Sequence, residues 1–306
     1  MFKVLLAGAL DPESEARLEA ATHVVRAPAG GDERTLCELI ADCDGLVART
    51  ETRVTRLVLS AGRRLRVVGI AGVGLEHVDV AAAEELGISV LNVPAAASDA
   101  VAEFTVALML QLLRPIPRLA RAYRDGNFRA ARQAPHGREL RQLTVGIVGM
   151  GRIGSRVARI CAAGCGARVL YNDIVEVGPF AYPAQAVDKA TIWSQGDIVS
   201  LHVPLTDKTR GLVNAEVLAR FRPSALLINT ARGAVLDTAA LTTALQAGRI
   251  AGAALDVTAP EPLPPVHPLF ACENCILTPH VAARTFGGLR RMFGVVDAVL
   301  DSLRAL

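Results

Sequence analysis

Apolar and polar positions along this chain follow one repeated rhythm. Short apolar runs, most of them closed by Gly, Asn, Asp or Pro, are separated by longer amphipathic stretches: KVLLAG, GLVAR, LRVVGIAG and ISVLNVP, then TVGIVG, RVLYND, DIVSLHVP, ALLINT, GAALDV and CILTPH. Runs that are apolar throughout, rather than at every second position, describe strands of a parallel sheet buried on both faces, with the amphipathic stretches as covering helices. The series occurs twice, and the long helical stretch Asp99 to Arg124 lies between the two sets. The expectation is an α/β protein of two doubly wound Rossmann-like domains joined by helices. The segment Arg118 to Arg138, rich in Arg and containing Gly126, Pro135 and Gly137, fits neither set and reads either as an arm packing on a second subunit or as a surface excursion. Beyond His280 the chain reads as a helix that returns to the first domain, with a break at Gly287 and Gly288.

Composition narrows the class without changing the picture. The 306 residues are 51% hydrophobic and 21% charged, enough for two packed cores. A formal charge of +3 with scattered basic residues leaves no electrostatic footprint for nucleic acid or a membrane surface, so small molecules are the expected partners. Six cysteines form no disulfide framework, and reduced thiols in the cytoplasm are expected. MFKVLLAGALDPESE reads as a first buried strand rather than a signal peptide, and the apolar run FTVALMLQLL is stopped by Arg114 and Pro115 well short of a membrane span.

Chemistry first shows in LTVGIVGMGRIGSRVARICAAGCGARVLYND. Gly149, Gly151 and Gly154 form a GxGxxG set between an apolar strand and an amphipathic helix, and a second strand ends at Asp173, 19 residues past the last of them. Glycines there allow a tight turn and let the backbone of Arg152 and Ile153 approach a pyrophosphate at a helix N-terminus, where unpaired amides and the helix dipole favour anions. Asp173 is placed to accept hydrogen bonds from the adenosine ribose and to repel a 2′-phosphate. The expected cofactor is therefore NAD rather than NADP.

Three later strand ends carry reactive groups. NTARG places Arg232 after a buried strand, where a planar guanidinium can hold a carboxylate at two points. PEP places Glu261 in a Pro-rich loop, and TPH ends a strand at His280. Ligands of open parallel sheets sit at the carboxyl ends of the strands, so the three are candidates for one hydride-transfer site.

Taken in order, AGVGLEHVD from Ala71 to Asp79, AEFT from Ala102 to Thr105, GREL from Gly137 to Leu140, then GMGRIG, HVPLT, NTARG, ALDV, PEP and TPH cover nearly the whole chain. This set resembles the D-isomer-specific 2-hydroxyacid dehydrogenase family, and within it the short phosphoglycerate dehydrogenases. The resemblance implies that Arg232 binds the substrate's carboxylate and carbonyl, that His280 is the acid/base, and that Glu261 holds the imidazole and stabilises its charged form. The similar formate dehydrogenases place Gln where Glu261 stands, so Glu261 argues against that branch. The resemblance also assigns Val203, Pro204, Thr230, Ala231 and Asp256 to the cofactor, with Asp256 near the carboxamide or, alternatively, a loop cap. Backbone amides of Val73 and Gly74 are expected at the substrate carboxylate, and Arg49 with Thr50 at its tail, where Arg49 reads a second anion such as phosphate or is a solvated Arg.

The implied architecture is a flavodoxin-like substrate domain of residues 1–96 plus 282–306 with a cofactor domain of residues 97–281 inserted into it, forming a homodimer, with the active site in the cleft. The sequence ends at Leu306, and no additional regulatory domain is expected. The implied reaction interconverts a D-2-hydroxy acid and its 2-oxo acid, with 3-phosphoglycerate, hydroxypyruvate or glyoxylate as substrate. A rival reading is an NAD-sensing corepressor of the same fold. The Cys272-x-x-Cys275 pair lacks the four ligands of a structural zinc site, His267 belongs to an HPL turn, and His202 in HVPLT reads as strand-end structure; no metal is expected.

Overall fold

A computed structural model describes residues 1–28, 31–133 and 136–305. The chain divides into two compact units, residues 1–98 with 283–306 and residues 99–282. Each is a parallel sheet with helices on both faces.

In the first unit the strands are β1 (Lys3–Ala7), β2 (His23–Arg26), β3 (Gly45–Arg49), β4 (Val67–Ala71) and β5 (Ser89–Leu91), ordered β2-β1-β3-β4-β5 and all parallel. β2 was not among the apolar runs read from sequence. It is an edge strand with only Val24 and Val25 between His23 and Arg26, and an edge needs little apolar length. Asp11, Asp32 and Asp79 begin the following helices by accepting the amides of Ser14, Thr35 and Ala82. Each satisfies a donor that a helix start leaves orphaned.

The C-terminal helix Val295–Arg304 covers one face of this sheet. Its buried Val295, Val296, Val299, Leu300 and Leu303 meet Val4, Val47 and Val67. Burial stabilises each such side chain by about 1.5–3 kcal/mol. The helix comes close because β4 has Gly69 beneath it; a Cβ there would fall far inside contact distance of Val299. The preceding helix, Phe286–Phe293, runs through Gly287 and Gly288, correcting the expected break. Thr285 accepts the Gly288 amide, and the chain bends instead at Gly294, which ends one helix and begins the next.

The second unit has β6 (Thr144–Val148), β7 (Arg168–Asn172), β8 (Gln185–Ala186), β9 (Ile198–Leu201), β10 (Leu226–Asn229), β11 (Gly252–Leu255) and β12 (Cys275–Leu277), ordered β12-β11-β10-β9-β6-β7-β8 and parallel throughout. Exposed β8, only two residues long, carries no apolar run to betray it. Apolar clusters fill both faces, one around Phe221, Leu227 and Leu241, the other around Met109, Ile147 and Ile228.

The stretch read as one helical segment from Asp99 to Arg124 is two helices, Ser98–Leu113 and Ile116–Arg124, bent by 55° where Pro115 lacks an amide donor. Among the described residues no single helix is long and apolar enough to cross a membrane. Ile116–Arg124 and the next helix, Phe128–Gln133, bury no residue at all. Gly126 joins them with φ of 79°; Pro135, counted with this segment in the sequence, lies outside the described residues.

Candidate active site

The Gly-rich turn follows β6 at the point where strand order reverses, since β6 lies between β7 and β9. Gly149 has φ of 92°, and a Cβ on it would stand 2.5 Å from the His202 carbonyl, so two independent constraints demand glycine. Gly154 abuts the Gly149 carbonyl and seats the helix Arg152–Arg159 against the strand. Gly151 behaves differently: no heavy atom lies within 4 Å of where its Cβ would be. That helix starts from Gly151 without a side-chain cap. Its first amides thus border open space, which is the cradle a pyrophosphate requires. Ile153 packs into the core while Arg152 is exposed.

Asp173 stands just past β7. One carboxylate oxygen accepts the Met150 amide at 2.6 Å, and the other accepts the amides of Ile174 at 2.7 Å and Val175 at 3.3 Å. The residue therefore braces the Gly-rich turn, a role that sequence reasoning missed. Carboxylate oxygens have further lone pairs for ribose hydroxyls. Half-buried Val203 and exposed Pro204 lead away from β9, the neighbour of β6.

The candidate catalytic side chains follow the carboxyl ends of this sheet's strands. β10 ends at Asn229 and leads into Thr230, Ala231 and half-buried Arg232. Thr230 is buried against Thr105, hydroxyl to hydroxyl at 2.8 Å. β11 ends beside Asp256, only 1% exposed, and β12 leads through Thr278 to His280. His280 Nδ1 lies 2.6 Å from Glu261 Oε1, and both side chains are about half exposed, at 50% and 42%. Glu261 thus occupies Nδ1 and leaves Nε2 for a reacting oxygen. His280 has φ of 53°, in the left-handed region that side chains seldom adopt. The Asp256 carboxylate is directed at the 278–282 turn.

The other named residues belong to the first unit. Arg49 ends β3; its guanidinium donates to the Ala9 carbonyl at 3.2 Å, pairs with Glu51 at 3.1 Å and lies 6.0 Å from the Phe293 ring centroid. Glu51 is a partner that sequence reasoning did not name. Thr50 is exposed and touches the position above Gly72. Val73 is exposed, its carbonyl accepts the Asn92 side chain at 2.6 Å, and half-buried Gly74 follows. A cavity of about 760 Å³ opens beside the ends of β1 and β3, with Gly8, Arg49, Glu51 and Arg53 in its wall.

The other groups singled out in the sequence, His202, His267, Cys272 and Cys275, are held by local contacts or burial. His267 Nδ1 accepts the Leu269 amide at the start of a short helical turn. His202 shares a 2.8 Å hydrogen bond with Ser200, and burial of its ring, though the residue is partly accessible, pushes its pKa down to about 3. The imidazole is neutral at physiological pH. Cys272 is buried, and burial pushes the Cys275 thiol up to about 12, so it is not a thiolate. Among the described residues no three His, Cys, Asp or Glu side chains cluster in a way that would hold a metal ion.

An open parallel sheet with a glycine turn and an uncapped helix start at its switch point is the architecture of a dinucleotide-binding domain. Residues 106–282 match the family model described as the D-isomer specific 2-hydroxyacid dehydrogenase, NAD binding domain. A glyoxylate reductase of Thermofilum pendens is 40% identical over 83% of this chain and 76% of its own length. A D-3-phosphoglycerate dehydrogenase of Synechocystis is 36% identical over 93% of this chain but only 51% of its own, so the chain spans about half of that relative. Among solved structures, a D-lactate dehydrogenase from Aquifex aeolicus, complexed with NAD and lactic acid, superposes with a TM-score of 0.86 at 28% identity, covering 99% of this chain and 98% of that one. The chain belongs to the D-isomer specific 2-hydroxyacid dehydrogenase family. It is an NAD(P)-dependent oxidoreductase of that family.

Proposed function

We propose that the chain reduces a short 2-oxo acid to its D-2-hydroxy acid, and runs the reverse oxidation, with NAD as the preferred cofactor. The observation that carries the reading is the His280–Glu261 pair, which follows the carboxyl ends of strands in the sheet that also carries the glycine cradle. Bound nicotinamide dinucleotide supplies or accepts the hydride. Gly149, Gly151, Arg152, Ile153 and Gly154 hold its pyrophosphate through backbone amides, Asp173 takes the ribose hydroxyls and disfavours a 2′-phosphate, and Val203, Pro204, Thr230 and Ala231 line its nicotinamide half. Arg232 fixes the substrate carboxylate and polarises the adjacent carbonyl. His280 donates a proton from Nε2 to the carbonyl oxygen, and Glu261 stabilises the imidazolium before the transfer and keeps the ring oriented. In oxidation the neutral ring takes the proton back.

Glyoxylate or hydroxypyruvate fits better than 3-phosphoglycerate. The Arg49 guanidinium already carries the Glu51 carboxylate, so a second anion would gain little there. A homodimer is also proposed. Ile116, Tyr123 and Phe128 are exposed on two helices that bury nothing within the chain, and a second copy is the simplest cover.

Nicotinamide absorbance tests the reading directly. The purified chain is offered NADH with glyoxylate, hydroxypyruvate, pyruvate and larger 2-oxo acids, and NAD with D-3-phosphoglycerate and both enantiomers of lactate and glycerate. Turnover of glyoxylate or hydroxypyruvate at least about tenfold above the rest is expected, a margin of one ordinary transition-state contact. No turnover across the panel with NADH binding intact overturns the enzyme reading and favours an NAD-sensing, corepressor-like protein.

A further inference from the structure

Two polar side chains, Asn229 and Asp256, are buried at the carboxyl ends of the neighbouring strands β10 and β11. Asn229 is 0% exposed and Asp256 1%. Enclosing a carboxylate this completely costs several kcal/mol unless its lone pairs are matched, so where its hydrogen bonds go says what it is for.

All of them go to one turn. One Asp256 carboxylate oxygen accepts the Thr278 hydroxyl at 2.6 Å and the Val281 amide at 2.9 Å, and the other accepts the Ala282 amide at 2.8 Å. The backbone carbonyl of Asp256 accepts the His280 amide at 2.8 Å. Every donor lies between Thr278 and Ala282, bracketing His280, the described non-glycine residue with positive φ. Such a backbone costs about 1–3 kcal/mol and persists only where its surroundings over-determine it. Four hydrogen bonds accepted by one residue do so here.

Asn229 does the same for the neighbouring turn. Its side-chain nitrogen donates to the Arg232 carbonyl and its side-chain oxygen accepts the Ala231 amide, both at 3.0 Å, closing a loop around Thr230, and the Arg232 guanidinium donates to the Ala231 carbonyl of the same turn at 2.8 Å. The two devices are joined, because the Asp256 amide donates to the Asn229 carbonyl at 3.0 Å across the β10–β11 edge.

We infer that Asn229 and Asp256 are positioning residues, a linked pair of buried clamps that set the Arg232 turn and the His280 turn relative to each other. This rests on the proposed roles of Arg232 and His280. It divides the labour, with the Asp256 clamp governing proton transfer and the Asn229 clamp governing capture of the acid.

Kinetics of Asp256→Asn and Asn229→Asp test the pair, with NADH affinity measured separately by fluorescence. Asp256→Asn replaces one acceptor by a donor facing an amide. It is expected to lower kcat by roughly 30–100-fold, the cost of misplacing a reacting group by about 1 Å, while NADH affinity stays within about twofold. Asn229→Asp replaces the donor to the Arg232 carbonyl by an acceptor, and is expected to raise KM for the 2-oxo acid by roughly tenfold or more with a smaller effect on kcat. Thr278→Val removes one bond of the Asp256 clamp, and Thr278→Ser restores the hydroxyl; the first should lose kcat and the second recover most of it. That comparison decides the matter even where Asp256→Asn does not fold. Wild-type kcat in Asp256→Asn, loss of NADH affinity in step with kcat, or equal defects in the two Thr278 variants would overturn the clamp. A His280→Ala control that stays active would instead overturn the acid/base reading and leave the clamp's geometry to be explained otherwise.

Discussion

Replacing Glu261 by Gln keeps the shape of the His280 partner and removes only its charge. The pair is short at 2.6 Å, which marks a charge-assisted hydrogen bond of about 1.5–3 kcal/mol when the ring is protonated. Both side chains are about half exposed, so water screens part of it, and about 1–2 kcal/mol is the share that the charged ring should lose. At about 1.4 kcal/mol per factor of ten, kcat for 2-oxo acid reduction should fall roughly 5–30-fold. Gln still accepts from Nδ1, so the ring stays oriented, and KM for NADH should move by less than about twofold. The assay is steady-state reduction of the best acid from the panel, with thermal unfolding as a control; exposed pairs add little stability, and the midpoint should hardly move. A Glu261→Gln enzyme with wild-type kcat would refute the charge argument, and one that loses NADH affinity in proportion would place Glu261 at the cofactor instead.

Three further perturbations probe other parts of the molecule. Asp173→Ala should raise the ratio of kcat/KM for NADPH over NADH by roughly tenfold and weaken both cofactors, because the brace on the Met150 amide goes with the charge; a wild-type enzyme already preferring NADPH contradicts the assignment. Gly69→Ala should destabilise the first unit by about 1–3 kcal/mol in urea unfolding, as the added methyl pushes against Val299, while unchanged stability would mean the helix can retreat freely. His202 is neutral in the folded chain down to about pH 3 but titrates near 6.5 when unfolded, so between those values the unfolded state binds the extra proton and stability falls as pH drops. From pH 6.5 to 5 that single group removes at most about 2 kcal/mol, and urea unfolding of His202→Gln should show a correspondingly flatter pH dependence.

What the sequence makes legible follows from how local each signal is. β6, the turn at Gly149 to Gly154 and the helix after it lie within some fifteen residues, and apolar periodicity plus glycine spacing describe them completely. His280 and Glu261 stand 19 residues apart on separate loops, and nothing local pairs them; strand-end position made both candidates for one site, and family resemblance made them partners. The Asp173 bond to Met150, the Glu51 hold on Arg49 and the Asp256 clamp connect residues whose separation in sequence carries no periodic trace or arise between close neighbours whose turn geometry is not encoded in type alone. Asn229 was visible as part of NTARG, yet its side chain acquires meaning only when the turn folds back over it. The Gly287–Gly288 pair misled because glycine is read as a breaker, whereas Thr285 caps the turn and the helix tolerates both.

The discontinuous first unit has a consequence for how the chain is made. Val4, Val47 and Val67 leave the ribosome well before the helix that covers them, Val295–Arg304. At about 5–20 residues per second, the nearly 200 residues between Ser98 and Val295 take roughly 10–40 s to translate. During that interval the second unit, whose residues 99–282 are continuous, has all it needs to fold, while one face of the first sheet waits for the helix that completes its cover. Nascent chains halted before Val295 are therefore expected to be chaperone-bound and aggregation-prone, with a nucleotide-binding unit already formed inside an unfinished protein.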